Sequence, residues 1–513
     1  LDYVDAATYV HDSHGSENWV RRLTIPEYVA TVKAVTGVEI ETEARRLLPP
    51  DIRADGFSNT AYNLKVDFKH VEAFAKLAEI IVKRMDVQAF AKRFHNKLTL
   101  DKQARTLMEK MGKWVLRGPL EEREILLYRG ITTTMASAGG SFEQAVGSGI
   151  EAMLQSPRFI YRIEDQQADG SVEEYELAVR MSYLLWGGPP DEELYRAADK
   201  GEFSDKSKIE AQVRRMLDDP RAFEQSQRFV HDWLDLGRMD NLAPSTDLFP
   251  KWNSALGPDM RAETLAFFKE VVWTRKRPLS ELLNAQVTFL TPRLARHYGM
   301  FPKGRNFARY DLTNVPGRGG LLTQGSVLTV GGDQASMVTR GLFVLHELLR
   351  GVVRDPPPGV DTNPVPTKPG LTQRGISTSR LAKASCSGCH AKFEPLAFGL
   401  EKFDGLGAYS QADKHGNRLR EDGKVLIPGH SSPVAYKTSA ELMNLLASSP
   451  RVHETFTWKV VQFAMGRPLG ANDARSVAEI HLASQKAGGT YQSLVTAIIL
   501  SDLVRYNQPT KDP

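Results

Sequence analysis

Both cysteines of the 513-residue chain lie in one pentapeptide, Cys386-Ser387-Gly388-Cys389-His390. Two cysteines only three positions apart cannot join distant parts of a chain, so hydrophobic cores have to hold this fold together. A chain of this length can bury large cores and is long enough for about three domains. With 41% hydrophobic and 25% charged residues, the composition excludes a disordered, a collagen-like and a disulfide-rich chain.

The charge and hydropathy of the chain bear on its possible partners. The 66 Lys and Arg residues nearly balance the 62 Asp and Glu residues, and the net charge of +4 gives no indication of nucleic-acid binding. The sequence contains no run of about 18 apolar residues. We therefore expect no nucleic-acid partner and no transmembrane segment.

Apolar residues recur at three- and four-residue steps along most of the chain, as in amphipathic helices. Thr24-Ile25-Pro26-Glu27 predicts a helix that begins with a capping box and a proline in its first turn, and Gly37 predicts its end. Asp191 is expected to cap another helix. Further helices are predicted at residues 71–85, with one apolar face from Val71 to Met85, and at 175–186, 209–217, 223–236 and 452–465. Since no series of alternating strands is found, the predicted fold class is mainly α.

The pentapeptide matches Cys-x-x-Cys-His, the attachment sequence of a c-type haem. In this chemistry each thiol adds to one vinyl group of the porphyrin, and the histidine becomes the proximal ligand of the iron. The pattern therefore predicts one covalently bound haem c, with Cys386 and Cys389 as its anchors and His390 as an iron ligand.

Three other interpretations of the two thiols are weaker. A thioredoxin-like redox pair is expected in a βαβ context, which the sequence does not show. A zinc site needs a second pair of Cys or His ligands, and no cysteine remains to supply it. The third alternative is a pair of buried structural thiols.

The motif also predicts a location, because haem c is attached outside the cytoplasm. We expect an exported protein of the periplasm or the cell surface. The chain begins at Leu1 rather than at a methionine, as expected after removal of a signal peptide. The small number of cysteines is consistent with this, because a spare thiol can mispair in an oxidising compartment.

The sixth ligand of the iron is less well defined by the sequence. Met465 is one candidate, because it lies 75 residues after His390, at the end of a predicted helix, where a class-I-like cytochrome would place its ligand. A methionine ligand would raise the reduction potential relative to histidine. Met465 also fits the apolar face of its own helix. The alternatives are an open or water-ligated position, or a histidine, namely His415, His430 or His453.

Further residues are expected near the haem. Arg467 is expected to pair with a haem propionate, its alternative being a surface cation at a helix end. Three aromatic residues are expected to pack against the porphyrin, and the same positions suit an ordinary core. They are Phe393, Phe398 and Phe403. Separately, His11-Asp12-Ser13-His14 is a weaker candidate for a metal site.

Short motifs along nearly the whole chain resemble those of the planctomycete-type periplasmic cytochrome proteins built from consecutive domains of unknown function. In chain order they are residues 21–28 (RRLTIPEY), 154–162 (LQSPRFIYR), 177–186 with Pro190-Asp191, 214–221 (RRMLDDPR), 320–329 (GLLTQGSVLT) with Arg340-Gly341, 386–407 with the haem motif, and 463–467 (FAMGR). The resemblance implies a c-type haem and a periplasmic or surface location, and it assigns no activity. Two departures are that Glu394 replaces the usual Asp before proline, and that these 513 residues hold no second Cys-x-x-Cys-His, which many relatives carry in a separate N-terminal module.

These observations predict four sequence domains. They are an N-terminal helical domain at 1–140, a central helical domain at 141–275, a third block at 276–370 that ends in a proline-rich linker, and a cytochrome c-like haem domain at 371–513. The expected function is single-electron transfer, as a subunit docked on a redox partner protein or within a larger redox complex. The alternatives are a peroxidase- or oxidase-like haem enzyme and a dehydrogenase-like subunit with its active site in the helical body.

Overall fold

The computed structural model describes residues 20–96, 103–162 and 172–506, which form two compact units. Residues 230–460 and 477–494 form the unit that contains the Cys-x-x-Cys-His motif, named here the motif unit. The other described residues, which lie within 20–229, 461–476 and 495–506, form the body unit. The candidate metal motif at residues 11–14 lies outside the described residues, and the division into four sequence domains stays a prediction.

Helices account for most of the body unit. Those before residue 220 are α1 Ile25–Thr36, α2 Glu41–Leu47, α3 Phe68–Arg84, α4 Val87–Lys92, α5 Gln103–Val115, α6 Glu122–Ser137, α7 Phe142–Leu154, α8 Pro157–Ile160, α9 Glu174–Trp186, α10 Glu192–Asp199 and α11 Lys206–Leu217. Two strands, β1 Arg21–Arg22 and β2 Tyr161–Arg162, pair in antiparallel orientation. Along the chain, α12 Pro220–Trp233 continues from the body unit into the motif unit.

The motif unit is also mainly helical. Its helices are α13 Leu256–Phe268, α14 Pro292–His297, α15 Gly325–Leu328, α16 Met337–Phe343, α17 Gln373–Leu381, α18 Ala384–His390 and α19 Ser439–Ala447. Two antiparallel strand pairs accompany them, β3 Val287–Leu290 with β4 Ala308–Asp311 and β5 Gly423–Val425 with β6 Val434–Tyr436. The remaining helices are α20 Pro450–Met465, α21 Ala474–Lys486 and α22 Tyr491–Leu500, with residues in both units, and α23 Asp502–Arg505 in the body unit. The predicted mainly α class is confirmed.

Local sequence signals predict several helix ends correctly. The hydroxyl of Thr24 accepts a hydrogen bond from the backbone N–H of Glu27 at 3.3 Å, and the Glu27 carboxylate accepts one from the backbone N–H of Thr24 at 2.9 Å. Gly37 ends α1 with φ of 78°, a left-handed conformation that glycine adopts without strain. Asp191 caps α10 by accepting from the backbone N–H of Leu194 at 2.9 Å.

The apolar face predicted at residues 71–85 is partly wrong. Helix α3 is present, and Phe74 and Leu77 are buried as predicted, but Val71 is 55% exposed and Met85 follows the last turn. The buried stripe runs through His70 instead, because the helical period of 3.6 residues turns Val71 to the edge of that stripe. Among the helices of the described residues, none combines the length and the apolar character that crossing a membrane requires.

A buried ion pair lies at the start of α1 in the body unit. The guanidinium of Arg21 donates to both carboxylate oxygens of Glu27, each at 2.7 Å, and the two side chains are 5% and 6% exposed. Burial opposes the charged carboxylate, but the charge of Arg21 and the hydrogen bonds from Arg21 and Thr24 outweigh it and lower the pKa of Glu27 to about 2. One carboxylate therefore caps α1 and also fixes the strand that precedes it.

A second buried carboxylate, Glu263 on α13 of the motif unit, faces hydroxyl groups. It accepts a hydrogen bond from the Thr288 hydroxyl at 2.6 Å and one from the Tyr298 hydroxyl at 2.7 Å. Burial raises the pKa of Glu263 to about 7, although the two hydroxyls and the charge of Arg318 lower it in part. The guanidinium of Arg318 lies 3.6 Å from the centroid of the Tyr298 ring and donates to backbone carbonyl groups.

Candidate haem-attachment site

The Cys-x-x-Cys-His motif forms the last five residues of α18. Cys386 and Cys389 are three positions apart and His390 follows Cys386 by four, so the three side chains share one face of the helix. The helix begins after Lys383, whose carbonyl oxygen accepts from the backbone N–H of Ser387 at 2.9 Å. Both cysteines are free thiols, Cys389 is exposed, and Cys386 and His390 are half-buried. This face is therefore accessible to a group that bonds to both sulfur atoms.

The imidazole of His390 contacts a buried carboxylate. Its Nδ1 lies 2.9 Å from Oε1 of Glu394, whose side chain is 0% exposed. Glu394 also accepts hydrogen bonds from the Arg380 guanidinium and the Ser377 hydroxyl. An ionised carboxylate can only accept hydrogen bonds, so this contact assigns the Glu394-facing proton to Nδ1 of His390. A neutral imidazole in that tautomer has its lone pair on Nε2. Within the described part of the chain, Nε2 has no hydrogen-bond partner.

Two helical segments bring these groups together. The hydroxyl of Thr372 caps α17 by accepting from the backbone N–H of Gly375 at 3.1 Å. Ser377 and Arg380 are three positions apart on that helix and therefore share a face. The chain leaves α18 after His390, and Glu394 opens a short 3₁₀ helix, Glu394–Leu400, with a proline as its second residue.

Helix α16 packs its backbone against the segment that follows the motif. A Cβ atom on Gly341 would lie 2.2 Å from the carbonyl oxygen of Phe393 and 3.1 Å from the backbone nitrogen of Glu394. Only glycine allows so close an approach. The position of Glu394 is therefore fixed by its backbone as well as by its side-chain hydrogen bonds.

The neighbouring Arg340 joins two distant stretches of the motif unit. Its buried guanidinium donates to the carbonyl oxygen of Leu328 at 3.1 Å, of Leu400 at 3.2 Å and of Phe403 at 2.8 Å, and also to that of Asp404. Burial lowers the pKa of Arg340 to about 10, so the group stays charged at neutral pH. This accounts for the presence of an Arg-Gly pair among the motifs noted in the sequence.

The three aromatic residues predicted at the haem differ in their surroundings. The ring of Phe393 is buried, with its centroid 5.1 Å from that of His390 and at an angle of 52°. Phe398 is half-buried, and the guanidinium carbon of Arg374 lies 4.6 Å from its ring centroid. Phe403 is fully buried, with its ring 5.3 Å from that of Tyr409. The structure thus brings Phe393 to the motif and surrounds the other two with different partners.

Met465 and Arg467 belong to the body unit, whereas the motif belongs to the motif unit. Met465 is the last residue of α20. The guanidinium of Arg467 donates from Nη1 and Nη2 to the carboxylate of Asp473, each at 2.8 Å. The proposed roles of Met465 as sixth ligand and of Arg467 as a propionate partner stay predictions.

The three histidines considered as sixth ligands all lie in the motif unit. The Nε2 atom of His453 lies 2.7 Å from the backbone carbonyl oxygen of Ala447. His430 is exposed. The Nε2 atom of His415 is buried and has no hydrogen-bond partner among the described residues. Among all the residues that the structure describes, no group of three or more His, Cys, Asp and Glu side chains is placed to hold a metal ion.

Sequence reasoning missed the surroundings of His390. Glu394 was noted only as a departure from aspartate, and neither Ser377 nor Arg380 was singled out. The spacing of four residues between His390 and Glu394 gives a local signal for their contact. The sequence gives no such signal for Ser377 and Arg380, because their contacts with Glu394 depend on how α17 packs.

Five family models match consecutive stretches of the chain, each described as a protein of unknown function. They are DUF1587 at residues 21–87, DUF1595 at 103–164, DUF1592 at 172–300, DUF1588 at 318–413 and DUF1585 at 434–504. The chain carries these five domains in series. They are the planctomycete-type, cytochrome-related domains that the sequence motifs resemble, so this part of the prediction is confirmed.

The DUF1588 domain contains Cys386–His390 and Glu394, whereas Met465 and Arg467 lie in the DUF1585 domain. No curated protein and no solved structure shows significant similarity to the chain.

Proposed function

We propose that this chain is an exported c-type cytochrome that transfers single electrons through one haem, bound to Cys386 and Cys389 and ligated by His390. The proposal rests mainly on the contact of 2.9 Å between Nδ1 of His390 and Oε1 of Glu394. Histidines that ligate metals commonly donate their second ring N–H to a carboxylate, and Nε2 then faces the metal with its lone pair.

The other residues of the site fit the same group. The two thiols share a face of α18 with His390, which suits a porphyrin bonded through two vinyl groups. Bound haem supplies one-electron oxidation and reduction at its iron. The chain's own residues would hold it: Cys386 and Cys389 would anchor the group, and His390 would offer a ring nitrogen. The buried ring of Phe393 lies beside the imidazole.

The domain content and the length support a role in a larger redox assembly. The DUF1588 and DUF1585 domains are of a type found in cytochrome c-like proteins. A small cytochrome needs about 100 residues, so most of this chain is available for contacts with a redox partner. Export to the periplasm or the cell surface follows in this proposal from the place where haem c is attached.

Haem staining of a denaturing gel tests the covalent bond. The chain is expressed in cells that mature c-type cytochromes, and the wild-type band is expected to stain. The double variant Cys386→Ala, Cys389→Ala should lose the stain, because no thioether remains. The matched control, Ser387→Ala, changes the residue after Cys386 and should keep it. Equal circular dichroism spectra would exclude unfolding as the cause, and an unstained wild-type band contradicts the proposal.

The visible spectrum separates an electron carrier from a haem enzyme. We expect low-spin iron that binds neither carbon monoxide nor cyanide, in a protein recovered from the periplasmic or surface fraction. A high-spin iron that binds carbon monoxide contradicts the carrier role and favours a peroxidase- or oxidase-like enzyme. Reduction of the haem by a small substrate alone favours a dehydrogenase-like subunit.

A further inference from the structure

Glu394 is a fully buried carboxylate that shares its hydrogen bonds between two helices. Arg380 and His390 both donate to Oε1, and Ser377 donates to Oε2. A buried carboxylate is stable only when its oxygens are satisfied, and these three donors satisfy them. Arg380 and His390 are 24% and 27% exposed, so the carboxylate lies behind both groups as seen from the solvent.

We propose that Glu394 is a positioning residue that holds the His390 imidazole in one orientation and lowers the reduction potential of the haem iron. The inference rests on the proposed function. An imidazole that donates Nδ1–H to a carboxylate becomes more basic at Nε2. A more electron-rich nitrogen ligand would stabilise ferric over ferrous iron, which would lower the potential.

Arg380 opposes this effect of Glu394. Its guanidinium binds Oε1, the same oxygen that accepts from His390, and withdraws negative charge from it. The carboxylate is therefore only partly available to the imidazole. Removing the carboxylate and removing the guanidinium should shift the potential in opposite directions, which a merely structural role would not produce.

Glu401 offers a matched control for Glu394. It lies one residue beyond the 3₁₀ helix that Glu394 begins, and it is 4% exposed. Its oxygens accept from the backbone N–H groups of Arg374 at 3.1 Å and Arg420 at 2.9 Å. Glu401→Gln therefore removes a buried carboxylate of the same segment without changing a hydrogen bond to His390.

The experiment is a spectroelectrochemical titration of the full-length, haem-loaded chain. In Glu394→Gln we expect ~10 times more ferrous than ferric haem at the wild-type midpoint, a rise of ~59 mV for one electron. Arg380→Met should lower the midpoint, and Glu401→Gln should leave it unchanged. Glu394→Asp keeps the charge on a shorter side chain, so its midpoint should lie between those of Glu394→Gln and the wild type.

Each outcome bears on the inference separately from the proposed function. Stained haem with the same midpoint in Glu394→Gln and Glu401→Gln overturns the inference alone. If Glu394→Gln does not fold, the Arg380→Met variant serves as the test, because it keeps the hydrogen bonds from Ser377 and His390 to the carboxylate. A midpoint of Arg380→Met that is unchanged or raised overturns the inference. A wild-type chain without covalent haem overturns the proposed function, and the inference with it.

Discussion

Each unit contains a fully buried glutamate, and the two have opposite electrostatic properties. Glu27 of the body unit contacts the Arg21 guanidinium through both oxygens, and its pKa falls to about 2. Glu263 of the motif unit contacts two hydroxyl groups, and burial raises its pKa to about 7. Burial acts in the same direction on both, so the difference lies in whether a guanidinium donates directly to the carboxylate. The charge of Arg318 lowers the pKa of Glu263 only in part, because the N–H groups of Arg318 bind carbonyl oxygens and not the carboxylate.

The two carboxylates predict opposite responses of the units to pH. A lowered pKa means that the contribution of Glu27 to stability is present above about pH 4.5 and is lost as the pH falls towards 2. A raised pKa means that the contribution of Glu263 is present below about pH 4.5 and is lost as the pH rises through 7.

The largest expected effect comes from breaking the ion pair of the body unit. Arg21→Met leaves the Glu27 carboxylate buried and without its charge partner, which should cost about 4 kcal/mol in the free energy of unfolding at pH 7. Hydrogen exchange of peptides from α1 measures this loss. The control is Arg45→Met, which removes an exposed partner of Glu41 and should cost less than about 1 kcal/mol. Equal losses in the two variants would show that the buried ion pair stabilises the fold no more than the exposed pair does.

The next effect concerns the pH profile of the motif unit. The shift of the Glu263 pKa from 4.5 to about 7 should make the wild-type unit lose ~3 kcal/mol of unfolding free energy between those pH values, relative to Glu263→Gln. Hydrogen exchange of peptides from β3, measured from pH 4.5 to 7.5, reports the difference. Glu281→Gln, which removes a partner of Arg277 in the same unit, should keep the wild-type profile. A profile of Glu263→Gln that parallels the wild type would contradict the assignment.

The smallest effect sharpens the role of the hydroxyl donors. Thr288→Val removes the donor at 2.6 Å with little change in volume, so it should cost about 1 kcal/mol above pH 7 and raise the pKa of Glu263 further. The pH at which the stability profile becomes flat should then move upward. Thr362→Val, a change at an exposed threonine of the same unit, is the control and should leave both quantities unchanged.

The predictable parts of this structure are those whose physical cause is local in the chain. The capping box of Thr24 and Glu27 and the glycine at position 37 lie within or next to α1, and all were found from the sequence. The mainly α class follows from the same kind of signal. Val71 was misassigned because the edge of a buried stripe depends on what packs against it.

The site divides in the same way. Its motif could be predicted from five adjacent residues, whereas the buried carboxylate behind His390 could not. Ser377 and Arg380 reach Glu394 through the packing of α17, which leaves no pattern in the sequence. The return of residues 461–476 and 495–506 to the body unit is a matter of tertiary structure too.

The carbonyl groups gathered by Arg340 have a further consequence. If both thiols are used by the haem, the chain has none left for a disulfide, which is a common means of fastening loops in exported proteins. Arg340 connects residue 328 to residues 400–404 by hydrogen bonds alone. A guanidinium cannot be reduced or exchanged as a disulfide can, so this fastening holds at any redox state of the surroundings. If the proposed haem is bound, the segment next to it is thereby kept in place by a group that takes no part in electron chemistry.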